Sequence, residues 1–144
     1  MESLGYFLVG LVFLSFGVLY FLYITKPKGK SQSVTRMNPE LVSSKWKQVN
    51  EMLVLGGPSN FKQAIIEADK LVDYVLKSKV AGETMGERLK SSRKLFNQKT
   101  YDELWKAHKI RNQVVHEAET ETLSFDAKTA VKYFEKALRE LKVI

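Results

Sequence analysis

The sequence of 144 residues contains no cysteine and only two histidines. Without cysteine, the chain can form neither a disulfide nor a thiolate metal site, and it has no cysteine nucleophile. The two histidines, His108 and His116, do not form a His-x-x-x-His or His-Glu-x-x-His pattern, so a zinc site built by the protein is not expected. We therefore expect no metal and no other cofactor.

Charged residues are also absent from the stretch 4–25, LGYFLVGLVFLSFGVLYFLYIT. A helix of this length rises on the order of 30 Å, which is enough to cross the apolar core of a bilayer. A cleaved signal peptide is the main alternative, but the positive start and the small-residue cleavage site of such a peptide are missing. The sequence predicts a transmembrane anchor over residues 1–25, in contact with the lipid bilayer.

Positive charge follows this apolar stretch directly. Four bases and no acid lie within residues 26–36, whereas Glu2 is the only charged side chain before the stretch. The positive-inside rule then predicts a single-pass protein of the plasma membrane with its C-terminal domain in the cytoplasm. Residues 26–37 combine the bases with Pro, Gly and Ser, which is typical of a basic flexible tether.

The formal net charge of +7 is distributed unevenly along the chain. After the one acid of residues 1–25 and the four bases of 26–36, residues 37–144 hold 19 bases and 15 acids. The predicted domain is therefore only mildly basic, and its charge alone does not indicate a nucleic-acid partner.

Residues 38–144 have the apolar periodicity of helices and no strand pattern, and their number suits one soluble domain with one core. The predicted fold class is all-α, an antiparallel bundle of four to five helices preceded by a single transmembrane helix. The signals that begin or end the helices are, in chain order, Asn38-Pro39, Gly56-Gly57-Pro58, Gly82, a capping box of Thr84 and Glu87, a second one of Thr100 and Glu103, and Ser124.

Three polar residues of one predicted helix could carry chemistry: Arg111, Asn112 and His116. Asn112 and His116 are one turn apart on the same face, and Arg111 lies about 140° around the axis from His116. Arginine offers a planar cation for phosphate oxygens, histidine exchanges a proton near neutral pH, and asparagine can orient either one. These roles suit metal-independent cleavage of RNA through its own 2′-hydroxyl.

The segment Arg111-Asn112-Gln-Val-Val-His116 resembles the Arg-x(4 to 6)-His motif of the HEPN superfamily, whose members are small helical bundles that often have Asn directly after the Arg. The preceding Leu-Trp-Lys-Ala-His-Lys-Ile and the earlier Ala64-Ile-Ile-Glu-Ala-Asp-Lys-Leu-Val-Asp73 are similar to helices of such domains. The resemblance covers residues 38–143.

This resemblance implies a homodimer in which the motif helices face each other across a shared cleft. Many members of the superfamily are metal-independent endoribonucleases, whereas others bind nucleotides or RNA, or serve as assembly modules. On the resemblance, Arg111 would hold phosphate, His116 would be the acid or base, and Asn112 would position both.

The sequence leaves three interpretations of this segment open. The first is a non-catalytic module that binds RNA, a nucleotide or a protein partner at the cytoplasmic membrane face. The second is an endoribonuclease that uses Arg111, Asn112 and His116 at a homodimer cleft. In the third, the roles are structural, with Arg111 paired to a carboxylate of another helix. An accessible cleft in which Arg111 and His116 converge would favour the enzyme.

Bases around the short middle helix form a second candidate surface for phosphate. No aromatic residue is interleaved with them in the sequence, which favours a merely solvated face, and the helical spacing of Tyr101 and Trp105 favours the core. The candidate phosphate-binding or RNA-binding residues are Arg111, Arg88, Lys90, Arg93 and Lys94.

Overall fold

Six helices make up the regular structure of the computed structural model, which describes residues 36–116 and 123–144. No strand occurs in these two ranges. Five of the helices are α-helical and one is a single 3₁₀ turn. They are α1 (Pro39–Leu55), α2 (Pro58–Lys77), α3 (Met85–Ser91), the 3₁₀ turn Arg93–Leu95, α4 (Gln98–His116) and α5 (Leu123–Glu140).

The predicted fold class requires a correction. The described helices form an all-helical bundle, but none of them is long and apolar enough to cross a membrane. The longest, α2, has 20 residues, but charged side chains such as Lys70 and Lys77 occupy its exposed side. The stretch 4–25, on which the predicted anchor rests, lies outside the described residues. For the described chain the fold class is an all-α bundle, without the preceding transmembrane helix.

Helix α2 is the central element of the bundle and packs against α1, α5, α4 and α3. Its apolar residues recur at spacings of three and four, so they form one continuous face. Burying each larger aliphatic side chain of this face contributes roughly 1.5–3 kcal/mol. The buried apolar residues of α2 are Ala64, Ile65, Ala68, Leu71, Val72, Val75 and Leu76.

Helix α5 supplies the opposite wall of the core and packs on both α2 and α4. Phe134 of α5 is fully buried, as are Leu138 of the same helix and Leu104 of α4. Helix α1 packs on α2 through Val42, Trp46 and Val49. This arrangement leaves one side of α4 beside α2, where polar side chains of the two helices meet.

Two of the predicted helix starts are confirmed. The Asn38 side chain accepts a hydrogen bond from the backbone N–H of Leu41 at 3.0 Å, at the start of α1. At the start of α3, Thr84 and Glu87 form the predicted capping box, each side chain bonding to the backbone of the other residue. Each such cap satisfies backbone donors that the helix itself leaves unpaired.

Two other predicted caps are wrong. Helix α4 begins earlier than predicted, because Asn97 accepts a hydrogen bond from the backbone N–H of Thr100 at 3.0 Å. Thr100 therefore lies in the first turn, and Glu103 forms an ion pair of 2.6 Å with Lys136 of α5 in place of a capping box. Ser124 also lies within a helix, since α5 already includes Leu123.

Candidate functional site

Four polar side chains meet where α2 lies beside α4: Asp69 of α2, and His108, Arg111 and Asn112 of α4. We call them the α2–α4 polar cluster. The three residues of α4 are three or four positions apart or adjacent, so they project from one side of the helix. Asp69 lies among the apolar residues of α2 and is only 4% exposed.

The buried carboxylate of Asp69 contacts both basic side chains of the cluster, His108 and Arg111. Its Oδ1 lies 2.8 Å from Nδ1 of His108, and its Oδ2 lies 3.5 Å from Nε of Arg111. A carboxylate removed from water is costly unless hydrogen bonds or opposite charge compensate it. The polar groups of His108 and Arg111 provide that compensation across the contact between the two helices.

Asn112 completes a closed set of contacts within the cluster. Its Oδ1 accepts a hydrogen bond from Nη1 of Arg111 at 3.1 Å, and its Nδ2 lies 3.4 Å from Nε2 of His108. A neutral His108 that donates from Nδ1 to Asp69 can accept at Nε2 from Asn112, so this tautomer is compatible with every contact. The cluster therefore holds each of its side chains in one orientation.

Arg111 is the member of the cluster best placed to meet a ligand. Its side chain is 29% exposed, more than those of Asp69 and His108. Its buried Nε atom has no hydrogen-bond partner, the single such side-chain nitrogen or oxygen found in the described ranges. The cluster therefore contains a partly exposed cation, Arg111, that contacts Asp69 and Asn112.

The same contacts limit what His108 can do chemically. A carboxylate that fixes the tautomer of a histidine is a common arrangement for a general base. Here the second ring nitrogen of His108 already contacts the amide of Asn112. Neither nitrogen of His108 is therefore presented to an incoming group unless Asn112 moves.

Of the three predicted catalytic residues, the structure brings Arg111 and Asn112 together. His116 is the last residue of α4, and its side chain lies outside the described part of the chain. The convergence of Arg111 and His116 therefore stays a prediction. Arg111 pairs with a carboxylate of another helix, as the structural interpretation of the sequence anticipated.

The sequence places His108 one helical turn before Asn112, where it could line the same face, but favours a packing role for it. Sequence reasoning missed Asp69 as a member of this site. Asp69 gave no local signal, since it is 39 residues away from His108 in the sequence. Asp69 belongs to this site only because α2 packs against α4.

The predicted phosphate-binding residue Arg88 is buried, with only 2% of its surface exposed. Its Nε lies 2.6 Å from a carboxylate oxygen of Asp73, and its Nη1 donates to the carbonyl oxygen of Gly82 at 2.6 Å. Arg88 connects α3 to α2 and is not presented to a ligand. Lys90, Arg93 and Lys94, the other predicted bases of this surface, are exposed.

Arg93 lies beside an aromatic ring of α4, that of Tyr101. Its guanidinium carbon is 4.9 Å from the ring centroid of Tyr101, and Nη1 donates to the carbonyl of Phe96 at 3.3 Å. The Tyr101 and Trp105 rings are 6.5 Å apart between centroids, and those of Trp105 and His108 are 6.2 Å apart. All three rings are partly exposed, so a row of aromatic rings leads from Arg93 to the α2–α4 polar cluster.

In neither described range do three His, Asp or Glu side chains lie together so that they could hold a metal ion. A comparison of the chain with protein-family models, curated proteins and solved structures finds no match. Membership of the HEPN superfamily therefore stays a prediction, based on the motif of Arg111, Asn112 and His116.

Proposed function

We propose that this helical domain is a non-catalytic binding module for a phosphate-bearing ligand, an RNA or a nucleotide, and that Arg111 is its main contact. The observation that carries the proposal is the partly exposed side chain of Arg111, whose guanidinium group contacts Asp69 and Asn112. The planar fork of arginine matches phosphate oxygens. A cation already held in position loses little conformational freedom when the ligand arrives.

Binding is favoured over cleavage because the polar groups of the cluster are engaged with one another. A general acid or base needs a nitrogen within reach of the reacting atoms, and both ring nitrogens of His108 contact protein groups. Both polar atoms of the Asn112 amide are also engaged. Cleavage with His108 as the acid or base would require a rearrangement of the cluster, whereas phosphate binding by Arg111 requires none.

Arg111 can be tested by binding a fluorescently labelled oligoribonucleotide to the full chain in the presence of a chelator. We expect Arg111→Met to weaken binding about tenfold or more, because hydrogen bonds to charged groups contribute about 1.5–3 kcal/mol. The matched control is Lys106→Met, an exposed base about 140° around α4 from Arg111, which should change the affinity less than twofold. Circular dichroism confirms that each variant is folded.

The same samples show whether the RNA is cleaved. The proposal predicts intact RNA after prolonged incubation with wild-type protein. Cleavage that is lost in both Arg111→Met and His116→Ala would support the ribonuclease alternative instead. A wild-type protein that binds neither RNA nor a nucleotide, or an Arg111→Met protein that binds as tightly as wild type, would contradict the proposal.

A further inference from the structure

The row of aromatic rings along α4 forms a surface of its own, which we call the aromatic ledge: Tyr101, Trp105 and His108. Their centroids follow one another at 6.5 and 6.2 Å, with interplanar angles of 80° and 75°. All three residues are partly buried, and Tyr101 and Trp105 pack against the hydrophobic core. The ledge therefore leaves part of each residue exposed to solvent along one side of α4.

Cations lie at both ends of the ledge and beside it. Arg93 stacks over Tyr101 at one end, and Arg111 lies at the other end next to His108. Lys109 is exposed one helical turn after Trp105. The acid closest in sequence to Tyr101 is Asp102, and its carboxylate accepts hydrogen bonds from the Gln98 amide at 2.8 and 2.9 Å.

The combination of aromatic faces and flanking cations is the one that binds nucleic-acid strands with unpaired bases. In a duplex the bases are stacked on one another, so their faces are not available to protein rings. From Tyr101 to Arg111 the helix rises about 15 Å, at about 1.5 Å per residue. At about 3.4 Å per stacked nucleotide this distance corresponds to about four nucleotides.

Resting on the proposed function, we infer that the ligand is a single nucleic-acid strand of about four nucleotides, whose bases stack on Tyr101 and Trp105 while its phosphates contact Arg93 and Arg111. The strand lies along α4 beside α2. A mononucleotide could be bound by Arg111 alone, whereas a strand of this length also contacts the aromatic ledge.

Tryptophan fluorescence tests the stacking directly, because the chain has two tryptophans, Trp46 and Trp105. Trp46 is only 8% exposed and lies on α1. We expect a uridine tetranucleotide to quench part of the wild-type emission and none of the emission of Trp105→Phe, which retains Trp46 alone. The converse variant, Trp46→Phe, retains only Trp105, so a larger fraction of its emission should be quenched than in wild type. This variant also tests the stacking if Trp105→Phe does not fold.

Affinity measurements on a length series test the size of the site. Binding of the full chain should tighten from one to about four uridines and then level off, and a duplex RNA of equal length should bind more weakly. Trp105→Leu should lower the affinity for the tetranucleotide about tenfold. The matched control is Tyr133→Leu, which removes an aromatic residue that contacts a cation on α5, away from the ledge, and should leave the affinity unchanged.

The possible outcomes test the proposed function and the stacked strand separately. Tetranucleotide binding that depends on Arg111 but leaves Trp105 unquenched overturns the stacked strand and leaves the proposed function standing. Equal affinity for uridine monophosphate and the tetranucleotide also overturns the strand. Quenching that persists at full affinity in Arg111→Met supports the ledge and contradicts the role of Arg111. No binding of any of these probes overturns both. A parallel series with deoxyribonucleotides distinguishes RNA from DNA as the source of the strand.

Discussion

At the scale of single residues, the two acids of α2 that lie on one side of the helix show how buried charge organises this domain. Asp69 is held by His108 and Arg111 of α4, and Asp73 is held by Arg88 of α3. Removing one partner of a buried pair leaves the other charge uncompensated, which costs more than the intact pair contributes. The stability of the domain should therefore be sensitive at these positions.

The change Asp69→Asn tests the first of these pairs. The amide keeps the shape of the side chain but loses its charge, so Arg111 loses its counterion and His108 loses its carboxylate acceptor. We expect a loss of about 2 kcal/mol in the free energy of unfolding, measured by urea denaturation. In the control Glu67→Gln, a partly exposed acid of α2 that pairs with exposed Lys70, the loss should stay below about 0.5 kcal/mol. Equal losses in the two variants would argue against the cluster.

The change Arg88→Met separates a structural role of Arg88 from the ligand-binding role that the sequence suggested. Loss of the guanidinium leaves the Gly82 carbonyl and one carboxylate oxygen of Asp73 without their partner, so we expect a destabilisation of about 2–3 kcal/mol. The RNA affinity of the folded variant should equal that of wild type. Lys90→Met, at an exposed position of the same helix, should change stability little. Weaker RNA binding at unchanged stability would contradict the structural role.

At the scale of helices, local signals in the sequence predicted some boundaries and missed others. Asn38 and Thr84 cap the helices that they were expected to cap. Thr100 was chosen wrongly, because Asn97 lies three residues earlier and its side chain accepts a hydrogen bond from the backbone N–H of Thr100 itself. Both residues are good caps in isolation, and the choice depends on the packing of α4.

Contacts between helices were less accessible to sequence reasoning. The bases near α3 were interpreted as lacking aromatic partners, yet Arg93 stacks on Tyr101, which follows the 3₁₀ turn. Asp69 and His108 are likewise brought together only by the packing of α2 on α4. The sequence therefore predicted that Arg111 and Asn112 belong to a polar site, but it could not identify the residues that hold them.

Two glycines near the start of α3 should respond in opposite ways to the same substitution. Gly82 has a φ of +153°, and a Cβ atom there would lie 2.8 Å from the backbone nitrogen of Arg88. We expect Gly82→Ala to destabilise the domain by about 1–3 kcal/mol. Gly86 lies within α3 with nothing within 4 Å of such a Cβ, so Gly86→Ala should stabilise by about 0.5–1 kcal/mol. Thermal unfolding of both variants measures this difference, and a shift of the same sign in both would contradict it.

At the scale of the whole molecule, α2 connects all the other α-helices of the described chain, but not equally. Its contacts with α1 and α5 are extensive and apolar, whereas its contact with α4 is smaller. The polar cluster lies within that smaller contact. The position of α4 relative to α2, and with it the surface proposed to bind a nucleic-acid strand, therefore depends on the pairing of Asp69 with Arg111 and His108.

A double-mutant cycle of Asp69→Asn and Arg111→Met tests this dependence most directly, with the free energy of unfolding measured by urea denaturation for all four proteins. If Asp69 holds Arg111, the double variant should be little less stable than Asp69→Asn alone, and the coupling energy should be about 1–2 kcal/mol. Effects of the two substitutions that add to within about 0.5 kcal/mol would show that the side chains act independently, and would contradict the account.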